Sequence, residues 1–103
     1  MVDIAGFDWD HANQDKCQSH GVSLSDIESV FHGTVSVFPD LSHSHREERF
    51  HAIGKAAAGR SVFVVFTWRQ RGQAMLVRPI SARYMHRKEV AHYEKEIAKT
   101  EDR

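Results

Sequence analysis

The chain has 103 residues, 41% of them hydrophobic and 27% charged, with 14 Lys and Arg against 14 Asp and Glu. This length suits one domain, and the share of hydrophobic residues excludes an intrinsically disordered protein. The net charge of zero differs from the strong positive charge that is common in nucleic-acid-binding domains. The positive charge is unevenly spread, however, because residues 60–88 carry seven Lys and Arg and no acid. We therefore expect a single domain, residues 1–103, with a locally cationic segment.

Three features bear on where the protein works. The longest unbroken apolar stretch, Val62–Phe66, is far shorter than the roughly 20 residues that cross a bilayer. The N-terminus lacks the charged and then apolar regions of an export signal. The lone Cys17 has no partner for an intramolecular disulfide. We expect a cytoplasmic protein without a membrane span.

Hydrophobic spacing and capping residues predict the first elements of the fold. Residues 1–9 suit a short strand or an apolar lead-in. Asp10 can cap a helix that ends at Gly21, where glycine allows a left-handed stop. Ser23 can cap a second helix over residues 24–31, because apolar side chains recur there at helical spacing.

Alternating hydrophobic side chains then predict four strands: a short one at Val35 and Val37, followed by strands over residues 49–54, 61–68 and 73–82. The strand over 61–68 is hydrophobic on both faces, which predicts a central position buried on both sides. Pro79 cannot donate a ladder hydrogen bond, so it should lie at a bulge, at an edge or where its strand leaves the sheet. An amphipathic helix over residues 86–99 and a frayed tail over residues 100–103 complete an α+β fold.

Four short segments, in their order and spacing, form a specific combination of motifs. They are Phe7-Asp8-Trp9-Asp10, His20-Gly21-Val22-Ser23, Glu48-Arg49-Phe50-His51-Ala52-Ile53-Gly54, and Ile80-Ser81-Ala82-Arg83 followed by Arg87-Lys88-Glu89 and Tyr93. The combination resembles the BrnT family of type II toxin–antitoxin systems over roughly residues 4–95. The resemblance implies a RelE-like fold, with a small antiparallel sheet of about four strands packed against two N-terminal helices and one C-terminal helix.

The resemblance also implies an activity and a partner. BrnT-like toxins cleave RNA, which inhibits translation and growth, and a BrnA-type antitoxin neutralises them. That antitoxin is a ribbon-helix-helix DNA-binding protein, so we expect a toxin–antitoxin heterotetramer that contacts DNA only through the antitoxin.

Two other functions compete with this one. Cys17 and Ser19 stand near positions where the family commonly carries Asn and Lys, which favours a catalytically weak module that binds the antitoxin and tunes autorepression. Direct DNA binding by this chain lacks both a recognition-helix pattern and a strong basic charge.

Candidate site residues follow from the chemistry of RNA cleavage without a metal. The RNA 2′-hydroxyl attacks the adjacent phosphorus, which requires a base, stabilisation of the charged phosphorane and protonation of the leaving oxygen. Arginine suits the second task because its fork of donors matches phosphate oxygens, and histidine suits the proton transfers because it titrates near neutral pH. The candidates for catalysis are Arg49, His51, Arg83, Arg87 and His20, and those for RNA binding are Arg60, Arg78 and Lys88. No cofactor and no metal are expected.

Several of these residues also have a structural interpretation. Arg49 can pair with Glu47 or Glu48, Arg87 can lie on a helix surface, and His20 can satisfy carbonyls at a helix end.

Three other features carry less weight. The spacing of Tyr93 within its helix favours a core role over proton donation. The pair His43 and His45 lies in a polar loop and offers fewer than the four ligands of a structural zinc site. Cys17 is interpreted as an inert thiol.

Overall fold

The computed structural model describes residues 4–42 and 47–101, and the predicted α+β class is confirmed. In chain order the elements are β1 (Gly6–Phe7), α1 (His11–Gln18), α2 (Leu24–His32), β2 (Ser36–Pro39), β3 (Phe50–Lys55), β4 (Ser61–Arg71), β5 (Ala74–Tyr84) and α3 (Arg87–Glu101). His43 and His45, considered above as metal ligands, lie outside the described residues. None of the helices in the described ranges is long and apolar enough to cross a membrane.

The sheet has five strands in the order β1-β5-β4-β3-β2. β4 is the middle strand, as its sequence predicts, and its pairs with β3 and β5 are antiparallel, as is the pair β2–β3. The prediction of an antiparallel sheet of about four strands is wrong, because β1 adds a fifth strand parallel to β5. The backbone N–H groups of Ala5 and Asp8 donate to the carbonyls of Met75 and Val77 at 2.9 and 2.8 Å. These bonds fix the N-terminal residues to the edge of the sheet.

Pro79 lies at a β-bulge between β4 and β5. Val65 pairs with Ser81 whereas Phe66 pairs with Pro79, so that Ile80 is an extra residue on β5. A bulge tolerates a residue that has no N–H to donate. The carbonyl of Pro79 accepts a hydrogen bond from the side-chain amide of Asn13 in α1 at 2.9 Å. The bulge, one of the three predicted positions for this proline, is confirmed.

Side-chain caps begin the first two helices at the predicted residues. Asp10 accepts the backbone N–H of Asn13 at 3.0 Å, and the Asn13 side chain accepts the N–H of Asp10 at 2.7 Å. Ser23 accepts the N–H of Asp26 at 3.1 Å. Between the helices Gly21 has a φ of +88°, a left-handed conformation that costs other residues about 1–2 kcal/mol.

The hydrophobic core lies between the sheet and the layer of α1 and α2. Val64 and Phe66 of β4 are fully buried there, and the Phe66 ring meets the Phe31 ring edge to face at 5.1 Å. Burial of a side chain of this size contributes about 1.5–3 kcal/mol to stability. Cys17 is part of the same core, and burial raises the pKa of its thiol to about 11. The thiolate is therefore scarce at neutral pH, as expected of an inert thiol.

The other face of the sheet, which we call the open face, points away from α1 and α2. Phe63 and Val65 lie on it and are only half-buried, so the predicted burial of β4 on both faces is wrong for this face. Only α3 crosses it among the described elements, and it does so near β2 and β3. The Tyr93 ring packs against Phe38, and its hydroxyl is hydrogen-bonded to that of Ser36. A mainly apolar cavity of about 600 Å³ remains between α3 and the sheet.

Candidate active site

Strand register brings side chains of three strands together at the centre of the open face. His51 of β3 lies opposite Val65 of β4, and Phe63 of β4 lies opposite Arg83 of β5. Side chains two residues apart on a strand share a face. His51, Phe63 and Arg83 therefore all project from the open face.

His51 contacts a buried carboxylate at the end of β2. Its Nε2 atom lies 3.1 Å from Oδ2 of Asp40, whose side chain is 4% exposed, whereas that of His51 is 30% exposed. Ser42 donates its hydroxyl to Oδ1 of the same carboxylate at 3.2 Å. The backbone N–H of Asp40 donates to the carbonyl of Arg49 at 2.8 Å, which holds Asp40 beside β3. Asp40 therefore holds the Nε2 atom of His51 in a defined position.

The Phe63 ring contacts both His51 and Arg83. Its centroid is 4.8 Å from the centroid of the His51 ring and 4.8 Å from Cζ of Arg83. The imidazole and the guanidinium therefore lie no further apart than twice that distance. Both side chains are therefore close enough to reach one phosphodiester through hydrogen bonds of about 2.8 Å.

Arg83 is fixed by Glu89 in the first turn of α3. Its Nη1 and Nη2 atoms donate to Oε1 and Oε2 at 2.8 and 2.9 Å, and Oε1 also accepts the backbone N–H of His86 at 2.9 Å. The Arg83 hydrogen bonds, followed by the His86 N–H, hold the pKa of Glu89 at about 2. The Arg83 side chain is 41% exposed, and its fork has further N–H donors beyond these two. Arg83 can therefore meet a ligand while Glu89 orients it.

Three more arginines of the open face lie towards β1, and each has a carboxylate partner. The pairs are Arg69–Glu47 at 2.7 Å, Arg71–Asp8 at 3.3 Å and Arg78–Asp10 at 2.8 Å. The hydrogen bond from Arg69 lowers the pKa of Glu47. Arg78, predicted to bind RNA, is only 21% exposed and also lies 3.6 Å from Asp8. A phosphate would have to compete with carboxylates for it.

The remaining predicted cations lie at the margins of this site. Arg49 directly precedes β3, two residues from His51, and its charge helps to lower the pKa of Glu47. Arg87, the first residue of α3, lines a second cleft of about 640 Å³ together with Arg60 and Lys55.

Arg60 and Lys88 extend this cationic margin at the start of α3. The Arg60 guanidinium stacks on the Tyr84 ring, with Cζ 3.6 Å from the ring centroid. Lys88 is exposed and follows Arg87 directly in α3.

His20 lies apart from His51 and Arg83, so the structure does not bring it together with the other predicted catalytic residues. It is exposed in the turn between α1 and α2, which belongs to the layer on the opposite face of the sheet. The motif around it serves the fold instead, because Gly21 turns the chain and Val22 is buried in the core.

Sequence reasoning missed Asp40, Phe63 and Glu89 as members of this site. Asp40 and Phe63 meet His51 only through strand register, which no local pattern reveals. Glu89 stands three residues after His86, the spacing of a reciprocal helix cap, and that signal was available. Among the residues that the structure describes, no three His, Cys, Asp or Glu side chains are grouped to hold a metal ion.

The fold and this face define a class of protein. It is a small α+β protein whose mixed sheet presents histidine, arginine and aromatic side chains together on one partly uncovered face. Residues 9–89 match the family model described as "Ribonuclease toxin, BrnT, of type II toxin-antitoxin system". The chain therefore belongs to the BrnT family of ribonuclease toxins, which confirms the resemblance found in the four motifs and implies an RNA substrate and a protein antitoxin. No curated protein matches the chain.

Proposed function

We propose that this chain is a metal-independent endoribonuclease of RelE-like fold that cuts RNA and thereby inhibits translation and growth. The observation that carries the proposal is the meeting of His51 and Arg83 at the Phe63 ring. Membership of a ribonuclease toxin family supports the class of reaction. The geometry of the open face supports the roles of individual residues.

In the proposed mechanism His51 is the general base and Arg83 is the phosphate ligand. Nδ1 of His51 takes the proton of the RNA 2′-hydroxyl, and the O2′ electron pair forms a bond to phosphorus. The P–O5′ bond breaks, and the leaving O5′ takes a proton from water. Arg83 donates to the non-bridging oxygens as negative charge grows on them. The products are a 2′,3′-cyclic phosphate and a 5′-hydroxyl, and His51 returns its proton to solvent.

We assign the cations around this centre to neighbouring phosphates of the RNA. Arg49 and Arg87 flank the site as further catalytic candidates, while Arg60, Arg78 and Lys88 bind the RNA backbone. A BrnA-type antitoxin, in a heterotetramer with the toxin, would cover the same arginines and so block RNA entry. Contact with DNA would come through the antitoxin.

The alternative is a catalytically weak module that binds the antitoxin and tunes autorepression. One observation favours it: four arginines of the open face already have carboxylate partners, so a phosphate must compete for them. The four are Arg69, Arg71, Arg78 and Arg83.

Replacing Arg83 by Ala separates the two functions. For an enzyme, losing one donor to the transition state should lower RNA cleavage about 10²–10³-fold, while antitoxin binding in a pull-down survives with modest weakening. The matched control is Arg71→Ala, which removes another paired arginine from the far end of the open face and should change cleavage far less. A wild-type protein that neither cuts RNA nor slows growth would favour the interaction module.

A further inference from the structure

The reaction described above assigns no role to the carboxylate of Asp40. We infer that Asp40 is a positioning residue for His51, which it holds in the orientation and tautomer that make Nδ1 the proton acceptor in RNA cleavage. The inference rests on the proposed ribonuclease function. It deepens that function by adding a residue outside the predicted catalytic set.

The burial of Asp40 is the first step of the argument. A carboxylate removed from water is costly unless hydrogen bonds and charged partners compensate for the lost hydration. Asp40 is 4% exposed beside a ring that is 30% exposed, and the Ser42 hydroxyl donates to its second oxygen at 3.2 Å. The Asp40 backbone is also tied to β3 by its 2.8 Å bond to the Arg49 carbonyl. The carboxylate is therefore held in place independently of His51.

The chemistry of imidazole supplies the second step. A neutral ring carries one N–H, and a carboxylate next to Nε2 accepts it, so the lone pair stays on Nδ1. When Nδ1 takes a proton, the negative charge of Asp40 stabilises the imidazolium that forms. One fixed carboxylate thus selects the tautomer that can accept a proton at Nδ1.

Other charged and titratable groups around His51 act differently. Arg49 directly precedes the strand of His51, Arg83 reaches Phe63 from β5, and Tyr93 of α3 packs on Phe38, the β2 partner of His51. The two arginines disfavour a positive ring, although Glu89 offsets the charge of Arg83. Among the described residues, Asp40 is the carboxylate in contact with the His51 ring.

The test is Asp40→Asn, which removes the charge and keeps the shape of the side chain. We expect cleavage near neutral pH to fall on the order of 10- to 100-fold, part of the full contribution of a general base. The matched control is Asp26→Asn: Asp26 accepts the Tyr84 hydroxyl at 2.7 Å in the other layer, so its loss should leave cleavage unchanged.

Two further measurements separate positioning from general stability. In a His51→Gln background, Asp40→Asn should lower cleavage no further, because its effect acts through His51. In the absence of RNA, the NMR signals of the two ring nitrogens of His51 should show the tautomer with its proton on Nε2 in the wild type and a mixture of tautomers in Asp40→Asn. If Asp40→Asn does not fold, Asp40→Glu takes its place, since it keeps the charge and moves it by one methylene; it should lower cleavage in the wild-type background and not in the His51→Gln background.

The outcomes distinguish this inference from the function on which it rests. Unchanged cleavage and an unchanged tautomer of the His51 ring in the Asp40 variant would overturn the positioning role. An equal loss of cleavage with and without His51 would overturn it as well. A wild-type protein that leaves RNA intact would overturn the ribonuclease proposal, whereas the NMR signals of the ring nitrogens would still decide whether Asp40 sets the tautomer of His51.

Discussion

Gly54 of β3 allows α2 to lie unusually close to the sheet, and replacing it by Ala tests that contact. A Cβ added at Gly54 would lie 3.0 Å from Cγ1 of Val30, 3.2 Å from the Val30 carbonyl oxygen and 3.3 Å from the Thr34 carbonyl oxygen. Two of these neighbours are backbone atoms, which no side-chain rotation can move. An added methyl group in a packed region typically costs about 1–3 kcal/mol, and we expect Gly54→Ala to destabilise the fold by that amount.

Thermal unfolding followed by circular dichroism measures this cost. In a domain of this size 1 kcal/mol changes Tm by roughly 4–8 °C, so Gly54→Ala should lower Tm by roughly 4 °C to more than 10 °C. The matched control is Gly33→Ala, because an added Cβ there has no neighbour within 4 Å and its φ of −104° is open to any residue. Equal Tm values for Gly54→Ala and the wild type would refute the close packing of α2 on β3.

The same glycine ends the segment 48–54, one of the motifs by which the chain resembles its family. That motif therefore supplies side chains to both faces of β3. Arg49 and His51 belong to the side of the open face, whereas Ala52 and Gly54 are buried towards α2.

Two properties of the site should respond to solution conditions. The folded-state pKa of Glu89 is about 2, below its ordinary 4.5, so its pair with Arg83 should stabilise the fold above that ordinary value and lose this effect as the pH falls towards 2. The Tm difference between wild type and Glu89→Gln should therefore narrow over that range, and a difference that stays constant would contradict the assignment. EDTA should leave RNA cleavage intact, because the proposed reaction uses protein groups and the substrate hydroxyl. A loss of cleavage on chelation that a divalent ion restores would count against that mechanism and direct attention to His43 and His45.

Much of the fold could be predicted from the sequence because its signals are local. Asp10 and Ser23 carry capping side chains, β4 is a continuous hydrophobic run, and Pro79 lacks the N–H that a regular ladder needs. The parallel pairing of β1 had no such signal. It is two residues long and joins a strand near the other end of the chain, with Gly6 beside Leu76, so only the assembled sheet reveals it.

The site was predictable by residue type but not by arrangement. Arginine and histidine chemistry selected Arg83 and His51 from the sequence. Their shared contact with Phe63 depends on the register of three strands, and the same register brings Asp40 to His51. The motif around His20 forms the turn between α1 and α2, and the sequence did not reveal that this turn lies apart from His51 and Arg83.

The ion pairs between arginines and carboxylates explain how a member of a ribonuclease toxin family can have a net charge of zero and still offer arginines to RNA. Exposed ion pairs such as Arg71–Asp8 contribute about 0–1 kcal/mol to stability, so a phosphate can replace the carboxylate at little cost. An acidic segment of an antitoxin could make the same exchange, and the arginines alone therefore do not distinguish RNA from a protein inhibitor. The distinction must come from a group that acts on the RNA 2′-hydroxyl, which a protein lacks. We propose His51, held by Asp40 on the open face, for that role, and this is why the Asp40 variant should affect cleavage more than it affects antitoxin binding.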